Sequence, residues 1–180
     1  MEDAIRITVV SEAEELREIA TLADEIWHEH YGKLLSPEQI AYMLEKFQSE
    51  EALARSIREE HYTYYAIRAG ERLVGFCGVC PHEEERELFL SKLYIHKDFR
   101  GKKIATLVLE MLKERCLSEG LDAIWLTVNK YNSGSIAAYQ KLGFRTVDAI
   151  VTDIGHGYVM DDYKMRYSIR GGSEEKTRKG

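Results

Sequence analysis

LFLSKLYIHKDFRGKKIATLVLEM, running from Leu88 to Met111, reads as an apolar strand, then a basic turn, then an amphipathic helix. A second stretch, AIWLTVNKYNSGSIAAYQKLGF from Ala123 to Phe144, has the same order: a buried strand, an Asn/Ser/Gly turn and a short helix stopping at Gly143. A strand that opens through a basic turn into a helix N-terminus presents backbone N–H groups and the positive end of a helix dipole. That combination suits a pyrophosphate. Tyr139, on the second helix, then stands near whatever the phosphate-bearing molecule carries. Together the two stretches point to an enzyme that uses a nucleotide-like carrier.

Outward from these motifs the rest of the chain falls into place. Ile5–Val10 predicts a first strand, and Ser11 a helix opened by a capping box with Glu14. Leu16, Ile19, Ala20, Ala23, Trp27 and His30 follow at helical spacing. Ser36-Pro37-Glu38-Gln39 opens a second helix with proline at its first position, and its inner stripe is Ile40, Met43, Leu44 and Phe47. A third helical piece covers Ala52–Glu59. After His61 the period drops to two: Tyr62–Ala69, a Gly70-Glu71 turn and Arg72–Cys80 predict a hairpin. Glu87–Ile95 is the next strand, and a helix over Gly101–Glu119 turns Ile104, Leu107, Val108, Met111, Leu112 and Cys116 inward and ends at Gly120. Ala123–Val128 reads as a central strand, Ser133–Leu142 as a helix, and strands near Thr146–Val151 and Val159–Ile169 finish the sheet. Residues 1–170 thus read as one domain and residues 171–180 as a polar, disordered tail.

A chain of 180 residues with 44% hydrophobic and 31% charged residues has the composition of a globular domain with a real core. Its net charge of -6 disfavours nucleic acid as a partner. Against that background Lys92, Lys97, Arg100, Lys102 and Lys103 form a basic island with Asp98 as its single acid. Such an island fits one local anionic ligand, or a solvated charged turn. No apolar run approaches the roughly 20 residues that cross a bilayer, and the acidic, strand-like N-terminus is unlike an export signal, so a cytoplasmic protein without a membrane partner is expected. Cys77-Gly78-Val79-Cys80 lacks a second pair, and its cysteines would face opposite sides of a strand. His28 and His30 do not share a helix face. No metal is expected.

In order and in detail these motifs resemble the Gcn5-related N-acetyltransferase (GNAT) family. That family's loop, Gln/Arg-x-x-Gly-x-Gly/Ala, is matched by Arg100-Gly101-Lys102-Lys103-Ile104-Ala105 at Arg100 and Ala105, with Lys103 where glycine is usual. The string follows Leu-Tyr-Ile on a strand and is itself followed by Asn-x-x-Ser-x-x-x-Tyr and Leu-Gly-Phe. The resemblance implies an α/β fold with a mixed, mainly antiparallel sheet flanked by helices and splayed at an acyl-CoA site. It implies acetyl-CoA as acyl donor, bound by the backbone of Leu93, Tyr94 and Ile95 and by Arg100, Gly101, Lys102, Lys103, Ile104 and Ala105. Asn132 and Tyr139 would also contact it. Gly101 would allow close approach, and Lys103 would still donate its N–H if its φ is negative.

Tyr139 would be the general acid, since a phenol stays protonated at neutral pH and can protonate a departing thiolate; a core tyrosine is the alternative. Asn132 also suits a helix cap and Asn129 the tie of a turn. Family members often carry a glutamate on the strand before the loop, but Phe89, Leu90, Ser91 and Lys92 offer no carboxylate, and Glu87 lies far along the strand. Asp153, His156, Asp161 and Asp162 form either an acceptor wall or a hydrated turn, so no base is named. The resulting expectation is direct acetyl transfer to a primary amine of a small, cationic molecule such as a polyamine. The acceptor would be bounded by residues around Trp27 to Leu35 and by the late strands. A protein amine or a longer acyl-CoA, or a CoA-binding module with impaired catalysis, are the competing readings. A homodimer is left open.

Overall fold

A computed structural model describes residues 4–169, so the tail expected at 171–180 lies outside the described residues. Helix α1 (Ala13–Tyr31) begins one residue later than the capping box predicts. Glu12 takes the N-cap without a side-chain bond, and the Ser11 N–H is met by Glu15 Oε1 at 3.2 Å instead of by Glu14. Helix α2 (Pro37–Met43) starts as read, with Ser36 Oγ accepting from the Gln39 N–H at 3.1 Å. It continues into a π-helical turn, Leu44–Gln48, which the sequence does not signal. Helix α3 (Glu50–Glu59) starts two residues earlier than predicted because Ser49 caps it, accepting from the Ala52 N–H at 3.1 Å.

Seven strands follow among the described residues: β1 (Ile5–Val9), β2 (Thr63–Ala69), β3 (Arg72–His82), β4 (Glu87–Ile95), β5 (Ala123–Asn129), β6 (Arg145–Gly155) and β7 (Tyr158–Ser168). Their hydrogen-bonded order is β1-β2-β3-β4-β5-β7-β6. The β1–β2, β2–β3, β5–β7 and β6–β7 ladders are antiparallel, and β4–β5 is parallel. The mixed, mainly antiparallel sheet is the one expected. Its parallel ladder is short, from Glu87↔Ala123 to Phe89↔Trp125.

The described residues form two compact units, one from residues 4–80 together with Lys92–Val108, the other from Pro81–Ser91 together with residues 109–169. In the first, Ile19, Ala23, Leu53, Ile67, Val74 and Phe76 are fully buried. In the second, Leu88, Leu112, Cys116, Ile124 and Met165 are. Full burial of such aliphatic and aromatic side chains stabilises by about 1.5–3 kcal/mol each. Helix α4 (Ile104–Glu119) starts three residues after the predicted Gly101. It buries Leu109 but leaves Leu107 47% exposed, one position away from the predicted stripe. Helix α5 (Ser133–Leu142) has the predicted bounds, ending at Gly143 with φ +109.

Candidate functional site

In the first unit, Leu93, Tyr94 and Ile95 close β4, each half-buried. Tyr94 lies against Trp27 of α1, with ring centroids 6.0 Å apart, and against Phe76 at 5.4 Å. Gly75 of β3 runs so close to this segment that a Cβ there would sit 2.6 Å from the Tyr94 carbonyl oxygen. β4 then leaves the sheet through His96 and a short 3-10 turn, Lys97–Phe99. His96 is buried and fixed in one tautomer: Nδ1 accepts from the Asp98 N–H at 3.1 Å, so the proton sits on Nε2, which donates to Glu25 Oε1 at 3.0 Å.

Arg100 does not stand as a free phosphate-seeking cation. Its Nε donates to the Ile95 carbonyl at 3.0 Å, and its two terminal nitrogens donate to the two Glu29 oxygens at 3.2 and 3.0 Å. That bidentate pairing holds the Glu29 carboxyl below its usual range. Burial pushes the neighbouring His30 imidazole down as well. The ammonium of Lys102 lies 5.4 Å from the centroid of the Phe99 ring.

Gly101 and Lys103 give the loop its shape, with φ of +77 and +62. A Cβ at Gly101 would meet nothing within 4 Å, so within the protein glycine serves the left-handed backbone rather than a close contact. The condition of a negative φ at Lys103 is not met: the residue keeps the left-handed conformation that glycine would take without strain. Lys103→Gly should therefore raise stability. Relief of about 1–2 kcal/mol of left-handed strain outweighs the roughly 0.4–1 kcal/mol lost to a floppier unfolded chain. A thermal midpoint unchanged or lowered in that variant would contradict this.

The loop delivers the chain to the N-terminus of α4. The Lys103 carbonyl accepts from the Leu107 N–H at 3.2 Å, so the N–H groups of Ile104, Ala105 and Thr106 precede the first intrahelical donor. Ile104 is buried, Ala105 half-buried and Thr106 exposed, as are Gly101, Lys102 and Lys103. Backbone donors, helix dipole and nearby lysines thus meet at an open surface. These residues fit a diphosphate, the group that coenzyme A would place there.

Lys92 departs most from its expected role. Counted in the basic island, it is 9% exposed and lies in the buried alternation of Leu88, Leu90 and Lys92 along β4. Its Nζ donates to the Phe47 carbonyl of the π-helical turn and, at 3.1 Å, to Tyr64 Oη. Tyr64 is itself fully buried. Ser56 Oγ donates to the Leu53 carbonyl at 2.8 Å, so at 2.9 Å from Tyr64 Oη it is the acceptor, and the hydrogen bonds run one way from lysine to α3. Burial lowers the Lys92 pKa from its ordinary value to about 7, and burial likewise raises that of the Tyr64 phenol. The period-two pattern of β4 was the signal that marked Lys92 as inward.

In the second unit, Asn132 caps α5, Oδ1 accepting from the Ser135 N–H at 3.2 Å, and is 8% exposed. Asn129 ties the preceding turn, Oδ1 accepting from the Tyr131 N–H at 2.9 Å. Tyr139 is half-buried, its ring edge-on to Phe144 at 5.5 Å. A Cβ at Gly143 would lie 2.8 Å from the Tyr167 ring, so both its φ and its space require glycine. Asp162 is 6% exposed, and burial first, then the Asp161 charge, raises its pKa to about 6. The segment from Asp153 to Met165 is a β6–β7 hairpin.

Among the described residues no three or more His, Cys, Asp or Glu side chains gather as a metal site. No helix among them is long and apolar enough to cross a membrane. Cys77, Cys80 and Cys116 are buried thiols.

Comparison with known proteins agrees with this architecture. The profile of the Acetyltransferase (GNAT) family matches residues 16–144. The PaiA N-acetyltransferase of Thermoplasma acidophilum, solved in complex with coenzyme A, superposes with a TM-score of 0.77 at 25% identity, covering 92% of this chain and 99% of that one. An uncharacterised N-acetyltransferase of Lactobacillus delbrueckii subsp. lactis is 23% identical over 145 residues, 77% of this chain and 83% of its own. A spermidine N-acetyltransferase chimera from Vibrio cholerae shares the fold, with a TM-score of 0.68 at 18% identity over 93% of this chain and 96% of that one.

Proposed function

Because the chain belongs to the GNAT acetyltransferase family and is an N-acetyltransferase that takes acetyl-CoA as its acyl donor, we propose that it acetylates the primary amine of a small cationic molecule. A polyamine or similar amine is the acceptor class, transfer is direct, and Tyr139 is the general acid. The observation that carries this reading is the left-handed turn at Gly101 and Lys103, which opens onto the free N-terminus of α4. That backbone shape would cradle a phosphate even with the usual second glycine replaced by Lys103.

In this reading the backbone of Leu93, Tyr94 and Ile95 takes the pantetheine arm, and the N–H groups from Gly101 to Ala105 take the diphosphate. Lys102 and Lys103 add charge attraction, modest because they are exposed. Asn132 holds α5 so that Tyr139 can protonate the sulfur as the carbon–sulfur bond breaks. The net charge of -6 suits a cationic acceptor, and a spermidine enzyme has the same fold. A homodimer and a cytoplasmic location complete the proposal; three thiols without a disulfide suit a reducing compartment.

The test is the thermal midpoint of the purified protein with rising acetyl-CoA, against adenosine as control. A ligand at about 100 times its dissociation constant adds about 2.7 kcal/mol, a shift of several degrees for a chain this size. No shift at millimolar acetyl-CoA would remove the coenzyme site and the reading with it.

A further inference from the structure

Acetyl transfer to an amine needs a proton acceptor, because an alkylammonium is protonated at neutral pH and has no lone pair to attack with. The β7 residue Asp162 is a carboxylate 6% exposed, and among the described residues no hydrogen bond or ion pair reaches it. Its oxygens are not among the enclosed side-chain atoms that lack a partner, so the carboxylate reaches the surface and is open to a proton. In register it stands opposite Asn129, the last residue of β5, and opposite Ile150 of β6. Asn129 lies four residues beyond Trp125, where the β4–β5 ladder has its last pair.

The alternation of β7 separates two faces. Asp162, Lys164 and Arg166 share one: Lys164 Nζ lies 4.6 Å from the Trp125 ring centroid, and Arg166 Nε donates to Glu87 Oε2 at 2.6 Å. Asp161, Tyr163 and Tyr167 share the other, where Phe144 packs on Tyr167 at 5.5 Å and Tyr139 on Phe144. Resting on the acetyltransferase reading, we infer that Asp162 is the base that receives the acceptor's proton, from the face of the sheet opposite Tyr139.

The protons balance. The ammonium gives one proton to Asp162, and its nitrogen attacks the thioester carbonyl. The C–N bond forms and the C–S bond breaks. The second nitrogen proton replaces the one Tyr139 gives to the thiolate, and Asp162 later releases its own to solvent.

Of the charges around Asp162, the one that acts on its titration is the neighbouring Asp161 carboxylate. On β7, Asp161 is held by Lys130 at 2.9 Å on the other face, and Lys164 is turned to Trp125. The β5 partner is a neutral amide and the β6 partner apolar, while Asp148 of β6 stands opposite Lys164. Burial raises its pKa to about 6, in the range a base working near neutrality needs.

The test compares Asp162→Asn with the wild type, measuring acetyl-CoA binding by thermal shift, the thermal midpoint at pH 5 and pH 8, and turnover across that range. Spermidine and an alanine-first peptide are the probe amines, with acetyl-CoA hydrolysis as the readout should neither be acetylated. Expected are unchanged coenzyme binding, turnover at least about 100-fold lower at pH 8, and loss of the acid limb near pH 6. The variant should also gain several degrees in midpoint at pH 8 and about half as much at pH 5. The folded pKa is raised, so the penalty on the ionised wild type is complete above pH 6, shrinks as pH falls, and is gone only below the ordinary value of 3.8. Turnover within about threefold of wild type, or a loss accompanied by a lower midpoint or weaker coenzyme binding, would overturn the assignment. A wild type that fails to bind acetyl-CoA would sink the enzyme reading as well, so the two failures are distinguishable.

Discussion

Tyr139→Phe should lower turnover by about 100-fold or more while leaving acetyl-CoA affinity within about twofold, because general-acid assistance contributes typically 100- to 10,000-fold. The substitution keeps the ring that packs edge-on to Phe144 and removes one hydroxyl from a half-buried site. The α5 frame stays intact, since the Asn132 cap and the left-handed Gly143 are untouched. The loss should fall on kcat, as expected for an interaction made only as the thiolate departs. Coenzyme binding by calorimetry and turnover by thiol release check the two halves separately. Turnover equal to wild type would remove Tyr139 as the acid; a parallel collapse of coenzyme affinity would make it a binding residue.

Lys92→Met should change how stability depends on pH. The folded pKa of Lys92 is lowered to about 7 from an ordinary lysine value of 10.5. Between these values the unfolded chain binds a proton that the folded chain does not, so wild-type stability rises with pH across that window. Below pH 7 the buried ammonium is present in full and so is its cost. The difference between wild type and Lys92→Met should therefore grow in favour of wild type by roughly 1.4 kcal/mol per pH unit from pH 7 to 9.5. That amounts to several degrees of midpoint. At pH 6 the methionine variant should lie near the wild type, losing the bonds to the Phe47 carbonyl and Tyr64 Oη but shedding a buried charge. Because the comparison is a difference, the burial-raised Cys116 thiol cancels from it. A difference flat from pH 6 to 9.5 would mean that Lys92 stays charged in its buried setting.

What could be read in advance was the part written in local chemistry. Helix α5 was legible to the residue because its cap and its stop, Asn132 and Gly143, are both short-range signals. The phosphate-type loop was legible as a motif, yet α4 begins at Ile104 rather than Gly101, because two left-handed residues intervene and only one of them is a glycine. Lys92 was misplaced for a different reason: its charge suggested solvent, whereas the alternation of β4 placed it inside. The partners that make its burial tolerable, Phe47 and Tyr64, are 45 and 28 residues away in sequence. The π-helical turn has no compositional mark at all. Asp162 was visible as one acid among several, and only register and burial single it out.

Glu25 and Glu29 lie one helical turn apart on α1 and grip the loop between β4 and α4 at two points, His96 and Arg100. The loop's position is therefore set partly by a helix that is distant in sequence. A ligand that orders or shifts α1 changes the free energy of the loop, and on the proposed reading coenzyme at the loop would change that ligand's affinity by the same factor. The α1 face that carries Glu25 and Glu29 thus becomes a place from which the position of the loop can be tuned.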